Sequence, residues 1–454
     1  MANVNTQHEE YSEYKEYWER IEDVLEGQDI LHKKGEKYLP RLKDQADDDY
    51  KSYLSRAYFY NATSRTLEGL KGLLFRKPPV IEYPTNMEDI INDITLTGMS
   101  LEQFAKDIAE DAIAINNYGI LVDIPNINTK GMTQAEVSAL NIRPYIREYD
   151  AESIINWKQG LVNNKYVLTM AVLTEDFEIQ ENEFKTEEET RYRVLDLVNG
   201  IYRQRVFRIN DKNEDELISE IYPKMNGNYL TYIPFIFDCD IECPPLLDLT
   251  NTNLAHYRIN ADYEHGCHFT GLPTAIVSGY QKVNPNEELY IGSQSAWVFA
   301  DPQASAKFLE FTGQGLGALE RNLDRKEQQM AILGARLLAQ DKKMAEAAET
   351  AIIRRAGENS ILENISITLS QNINKALAIL SEWAGFSTPA TIEINRDFLG
   401  SQMTAQDITA LVSSWQSGAI SKNTLFYNFQ QGELYPDGLT MEEEQTSIDN
   451  SPMM

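Results

Sequence analysis

The densest array of groups able to do chemistry runs from residue 256 to 268, where His256, Asp262, Glu264, His265, Cys267 and His268 follow one another. Imidazole and thiolate groups at short spacing can ligate a transition metal, and a histidine beside carboxylates can move a proton. Three of the five histidines of the chain fall here. On a helix, His265 and His268 share a face, whereas Cys267 points about 100° away from His268. No second group of ligands is recognisable elsewhere in the sequence. The pattern therefore suits packing or subunit contact through His256, His265 and His268, with a metal-dependent enzyme built on the same three residues as the alternative.

Other signatures of chemistry are missing. The sequence has no glycine loop ending in Lys-Ser/Thr, no dinucleotide fingerprint after a strand, no paired zinc-type cysteines and no nucleophile elbow. The nearest glycine-rich stretch, GQGLG at Gly313–Gly317, lacks the lysine that would reach a phosphate and reads as a flexible helix entry. No enzyme activity, metal or cofactor is expected. The segment DKKMAEAAETAIIRRAGENS, Asp341–Ser360, differs in kind: it sets Lys342 and Lys343 in a loop with Met344 and Glu346, and Arg354 and Arg355 on the following helix. These cations are either solvated charge near a helix start or a local electropositive element facing a polyanion, weak in one copy and additive around a ring.

Acidic excess bounds the partners. Of 454 residues, 70 are acidic and 41 basic, a net charge of -29. A protein that grips DNA does so by releasing counterions with Lys and Arg, so any DNA relationship must be local or non-adhesive. Three cysteines, Cys239, Cys243 and Cys267, suit a reducing compartment better than a disulfide framework, and cytoplasmic synthesis is the expectation. Met1–Glu10 has no signal-peptide pattern, and no apolar run approaches a membrane span. The length suggests about three structural units.

Periodicity supplies the elements. Tyr14, Trp18, Ile21 and Leu25 predict an amphipathic helix over 9–26 that Gly27 ends. One helix is predicted from about Asp48 to Phe75, before Pro78-Pro79 and a short strand in VIEYP. Another starts at Ser100, a good N-cap, runs to Asn116 and leads to a strand at Ile120–Ile124. From about Arg143 to Asp240 the pattern turns to β-branched and aromatic runs at Tyr166–Val172, Arg191–Val198, Ile201–Ile209 and Tyr232–Phe237, interrupted by an acidic loop or hairpin tip at Glu175–Thr190. Helices at Leu246–Thr270 and Leu316–Leu338 then bracket a compact β insertion with strands at Thr274–Ser278, Ala296–Phe299 and AKFLEF. After a break at Ala339–Thr350, a very long helix runs to Trp383, with Gly385 as its cap. A strand at Thr391–Phe398, helices at Ala405–Trp415 and Lys422–Gln430, and a fraying acidic tail from Met441 complete the chain.

The order and wording of three stretches carry a resemblance: RAYFYNATSRTLEGLKGLLFRKPP (Arg56–Pro79), PPLLDLTNTNLAHYRINADYEHGCHFTGLPTAIVSG (Pro244–Gly279), and AILGARLL to AEAAETAIIRRAGENSIL (Ala331–Leu362). With them the chain resembles the portal proteins of tailed bacteriophages over most of its length. The resemblance implies an α+β, mainly helical portal fold: a wing over 1–243, a first stem helix over 244–272, a clip over 273–311, a second stem helix over 312–338, a tunnel loop over 339–350, a long helix and return strand over 351–400, and a crown with an acidic tail over 401–454. It implies a homo-oligomeric ring, of twelve subunits in the proteins it resembles, at one capsid vertex of the virion, assembled in the host cytoplasm. Double-stranded DNA would pass through without sequence specificity. The terminase large subunit, head-completion or tail adaptors, and major capsid or scaffolding protein would be partners, with no membrane involved. Lys342, Lys343, Met344 and Glu346 would line the channel, and His256, His265, His268, Arg321, Arg325, Arg354 and Arg355 would serve the stem and subunit interface. A ring-forming adaptor that is not a portal stays open as a further alternative.

Overall fold

The computed structural model describes residues 3–127, 133, 139–162, 164–271, 274–278, 303, 305–309, 315–334, 348–396, 398, 405–432, 434–435 and 439–450. The chain divides into a large unit, Met1–Phe75 with Pro79–Ile394, and a small one, Arg76–Pro78 with Asn395–Met454.

The large unit begins with α1 (Glu9–Glu26), which buries Tyr11, Trp18, Ile21 and Val24 and closes at Gly27, whose φ of 98° is open to glycine. After α2 (Gln28–Lys34), the predicted single helix of residues 48–75 is two, α3 (Asp47–Arg56) and α4 (Ala62–Leu74). The break has a physical cause. Ala57 turns extended, the Asn61 side chain accepts from the Ser64 N–H as an N-cap, and the Ala62 and Thr63 N–H groups donate to the buried amide of Asn253. Helices α5 (Glu88–Asn92) and α6 (Leu101–Ala114) follow, the latter capped by Ser100 as predicted.

Strand β1 (Val80–Glu82) lies early in the chain, and β2 (Tyr118–Asp123) and β3 (Tyr145–Asp150) follow α6. Then comes an antiparallel meander of β4 (Ile154–Val162), β5 (Lys165–Asn182), β6 (Lys185–Val198), β7 (Ile201–Ile209) and β8 (Asp215–Ile221) in sequence order. The short β9 (Lys224–Met225) and β10 (Asn228–Tyr229) form a hairpin, and β11 (Phe235–Phe237) pairs with β2, which pairs in turn with β3. One expectation changes here and another is narrowed. The Tyr232–Phe237 run forms ladder only from Phe235. Of the two readings of the acidic stretch Glu175–Thr190, the hairpin tip holds and the loop does not: β5 and β6 pair along it, with one irregularity at Gln180–Asn182, up to a turn at Glu183–Phe184.

A buried ionic hub ties the two sheets together. Glu175, its side chain fully buried, accepts from Arg193 Nε at 2.7 Å, from the Tyr149 hydroxyl and from Arg147 at 3.1 Å. Arg193 also donates to Gln204 Oε1 at 3.0 Å, and Gln204 donates to Asp123 Oδ1 at 2.9 Å. Every member has a partner, which is the condition under which burying such groups is tolerated.

Helices α7 (Leu247–Gly271) and α8 (Leu316–Ile332) have the hairpin of β12 (Thr274–Ser278) and β13 (Ser305–Leu309) between them in sequence. Helix α8 stops short of the expected Leu338, at Ile332, just before Gly334 with φ 138°. The predicted strand at Ala296–Phe299 lies outside the described residues. Helix α9 (Ala348–Trp383) is laced to the segment returning beside it: Asn374 exchanges hydrogen bonds of 2.9 and 2.7 Å with Ile392, and the Ile394 N–H donates to Ser370 Oγ at 3.1 Å. That segment holds β14 (Thr391–Glu393), shorter than the expected Thr391–Phe398, paired with β1.

In the small unit, α10 (Ala405–Gln416) and α11 (Lys422–Gln431) match expectation. The expected fraying tail is instead helical, α12 (Met441–Asn450), because Thr440 and Glu443 cap each other reciprocally.

A Cβ added at Gly119 in β2 would meet the Phe235 ring at 2.1 Å and Ile154 Cδ1 at 3.0 Å. Gly119→Ala is therefore expected to destabilise the large unit by about 1–3 kcal/mol. Urea unfolding checks this through a lower midpoint at unchanged m-value.

Candidate functional site

The residues singled out in sequence converge on α7, so its surroundings decide what they can do. From the first half of α7 and its middle, Leu254, Tyr257 and Ala261 enter a core with Val24 and Leu31 from α1 and α2, Tyr50 and Tyr53 from α3, and Phe59. Its polar side chains satisfy the backbone of the connecting segments. Asn253 Oδ1 accepts from the Ala62 and Thr63 N–H groups at 3.1 Å each and from the Thr63 hydroxyl at 3.0 Å, while its amide nitrogen donates to Tyr60 O at 2.8 Å. Arg258 donates to Tyr38 O at 2.8 Å and Asn260 to Tyr58 O at 2.9 Å.

Helix α8 packs antiparallel to α7, with His256 facing Glu327 near one end and Gly266 facing Leu316 near the other. The approach at Gly266 is close enough that an added Cβ would sit 2.6 Å from Leu316 Cδ2. Leu323 and Met330 are buried on α8, while Arg321 and Arg325 are exposed.

The histidines do not converge. His256 is only 4% exposed, with Nε2 3.7 Å from Glu327 Oε1 and Nδ1 buried without a hydrogen-bond partner. It belongs to the α7–α8 seam within one chain. His265 packs edge-on against the Tyr53 ring at 5.1 Å, its Nδ1 3.3 Å from Arg56 Nη2, while Tyr53 donates its hydroxyl to Asp262 at 2.6 Å. His268 is exposed, and Cys267 is half-buried with the Tyr263 hydroxyl beside its sulfur. Among the described residues, no three His, Cys, Asp or Glu side chains are placed to hold a metal. Arg354 and Arg355 lie on α9; Lys342, Lys343, Met344 and Glu346 lie outside the described residues.

Sequence reasoning missed a cluster of carboxylates gathered from three places: Glu22 on α1, Asp111 on α6, and Glu148, Asp150 and Glu152 on or just after β3. Burial, reinforced by the neighbouring carboxylates, pushes Glu148 up to about 9, Glu22 to about 8 and Asp111 to about 7. One carboxylate oxygen each of Glu148 and Glu152 is buried without a hydrogen-bond partner. Spread over 130 residues of sequence, such a set leaves no local signal.

A family model described as a domain of unknown function (DUF4055) matches residues 245–384, under half of the chain. The matched stretch opens at the start of α7 and closes at the end of α9. No curated protein matches. Among solved structures, the neck of a native GTA particle computed with C12 symmetry aligns at 10% identity and a TM-score of 0.38, covering 90% of this chain and 96% of that one. The neck of an empty GTA particle with C6 symmetry aligns at 10% identity and 0.39, covering 91% and 97%. A virion of a native gene transfer agent (GTA) particle aligns at 10% identity and 0.36, covering 94% and 99%. These scores lie below the level at which a shared fold is inferred.

Two opposed pH effects follow. Glu148 holds its proton more tightly folded than unfolded, so its contribution is complete below the ordinary carboxylate range and is lost as pH rises towards about 9. Glu148→Gln should raise stability at pH 8 by about 1–3 kcal/mol and flatten the decline above pH 5. His256 is held below its ordinary 6.5, by burial above all, so it weakens the fold as pH falls through that value. His256→Gln should reduce the acid-side loss without altering the alkaline side. Thermal unfolding from pH 5 to 9 reads both.

Proposed function

We propose that this chain is the repeating subunit of a portal-type ring, a conduit for double-stranded DNA at the head–neck vertex of a tailed-phage particle. The observation that carries the reading is the unit from α7 to α9: two antiparallel helices, a strand hairpin between them in sequence, and a long helix continuing after a short segment, in the stretches whose wording resembles phage portals. In this reading α7 and α8 are the stem, β12 and β13 belong to the clip, residues 339–350 line the narrowest point of the channel, and α10 to α12 form the crown.

The physical features support such a role. An antiparallel helix pair presents different side chains on its two flanks, so copies can repeat head to tail and close into a ring. With about twelve copies, the net charge of -29 becomes roughly -350 (12 × -29), which favours a conduit that DNA slides past over one that grips it. No residue set is proposed for catalysis. The terminase large subunit would supply the energy for packaging, head-completion or tail adaptors would dock afterwards, and capsid or scaffolding protein would contact the wing.

Electron microscopy of the purified chain tests this: rings with a channel wide enough for duplex DNA are expected, and closed or channel-free assemblies would overturn the reading in favour of another kind of adaptor. In assembled particles, Lys342→Ala combined with Lys343→Ala is expected to leave ring formation intact while changing the amount of DNA packaged or retained. Unchanged packaging would mean that these lysines are only solvated.

A further inference from the structure

Strand β5, 18 residues long, spans roughly 60 Å and carries opposite chemistry at its two ends. At its start, the β4–β5 hairpin has two lysines and no acidic residue between Ser153 and Thr174. Lys158 and Lys165 are exposed, and beside them Leu161 and Tyr166 face each other in register while 61% and 78% exposed. At its far end, the β5–β6 hairpin has seven acidic residues and one lysine from Asp176 to Thr190. It is tipped by Phe184, 90% exposed.

The far end is an unusual ribbon. Pairing with β4 ends at Leu173 and pairing with β7 ends at Arg191, so beyond these points β5 and β6 have only each other. Isolated two-stranded ribbons are marginal in water. Glu178 stands directly opposite Glu188, a like-charge pair that weakens the ladder further. A basic, partly apolar surface would relieve both liabilities, and the chain carries one at the other end of the same strand.

We propose that the acidic β5–β6 tip of one copy docks on the basic β4–β5 tip of the next, with Glu187 on one face of the ribbon and Glu188 on the other supplying negative charge beside Lys158 and Lys165, and Phe184 at the turn packing against Leu161 and Tyr166. When each copy docks its acidic tip on one neighbour and receives the other neighbour's on its basic tip, the contact is heterologous and repeats from copy to copy; a closed two-fold dimer in the same assay would count against it. The proposal rests on the ring reading above and adds the wing contact that sets its direction.

The test uses the full chain and two charge-reversed variants, Glu187→Lys with Glu188→Lys and Lys158→Glu with Lys165→Glu, followed by mass photometry and negative-stain microscopy. Each variant alone should need about tenfold more protein, or higher, to form rings, since like charges now meet at the contact. Mixed in equal amounts, the two should recover wild-type assembly by alternating, because each tip then meets its opposite; the recovery also certifies that both variants fold. Phe184→Ala should weaken assembly without being rescued. If the wild type forms rings and either reversal leaves them unaffected, or the mixture fails to recover, the proposed contact is wrong and the arm serves another partner. If the wild type forms no ring at all, the portal reading itself falls.

Discussion

The helical half of the large unit depends on one buried amide. Asn253 answers two N–H groups at the start of α4, the Thr63 hydroxyl and the Tyr60 carbonyl, with all four bonds within 3.1 Å. An apolar residue there would orphan N–H groups that no water reaches, at about 1–3 kcal/mol each. Because Asn253 sits in the half of α7 that fills the core, the chain path between α3 and α4 is determined by a helix almost two hundred residues later. Arg258 and Asn260 repeat the pattern one and two turns further on. Helix α7 is thus both a core element and a polar template, and it pairs with α8 along its length, from His256 to Gly266.

That arrangement explains what sequence could and could not tell. Local chemistry was legible: Gly27 closes α1, Ser100 caps α6, and Ile201–Ile209 alternates as a strand. The break at Ala57–Asn61 was not, because apolar spacing continues through it and the groups that stabilise the break come from α7. The ribbon at Glu175–Thr190 was legible only as a choice between loop and hairpin tip for a related reason: glutamates lower β-propensity, and the strands that continue the ladder lie nearer the sheet. The final helix was legible in principle, since Thr440 and Glu443 have capping-box spacing, but the acidic composition masked it. For the histidines, helical spacing placed His265 and His268 on one face, and only the tertiary partners Glu327 and Arg56 separate the roles of His256 and His265.

Two buried glutamates show why net charge says little about a given site. Glu175 meets Arg193, Arg147 and Tyr149, and their hydrogen bonds and charges hold its carboxyl below the ordinary range even though burial works the other way. Glu148, also largely enclosed, meets other carboxylates and is pushed up to about 9. The first is a fully satisfied hub between sheets. The second lies among groups from α1, α6 and the end of β3 that hold together best when some of them keep their protons. The acidity of the chain is therefore not uniform in effect: part is neutralised inside, part is suppressed by burial, and the remainder is displayed on surfaces such as the β5–β6 ribbon.

Directionality is the property these features share. The helix pair is antiparallel, yet its members differ: α7 is bound into the core by its polar residues, whereas α8 carries Arg321 and Arg325 outward. The meander likewise has one basic and one acidic end. A chain with such polarity offers unlike surfaces to two neighbours, which suits the repeating, heterologous contact of the proposed ring. If the chain forms the proposed conduit, that asymmetry matters more than any single reactive group, because a pore along an axis is made by repetition of one directional contact and its inner surface by whichever segment each copy turns towards that axis.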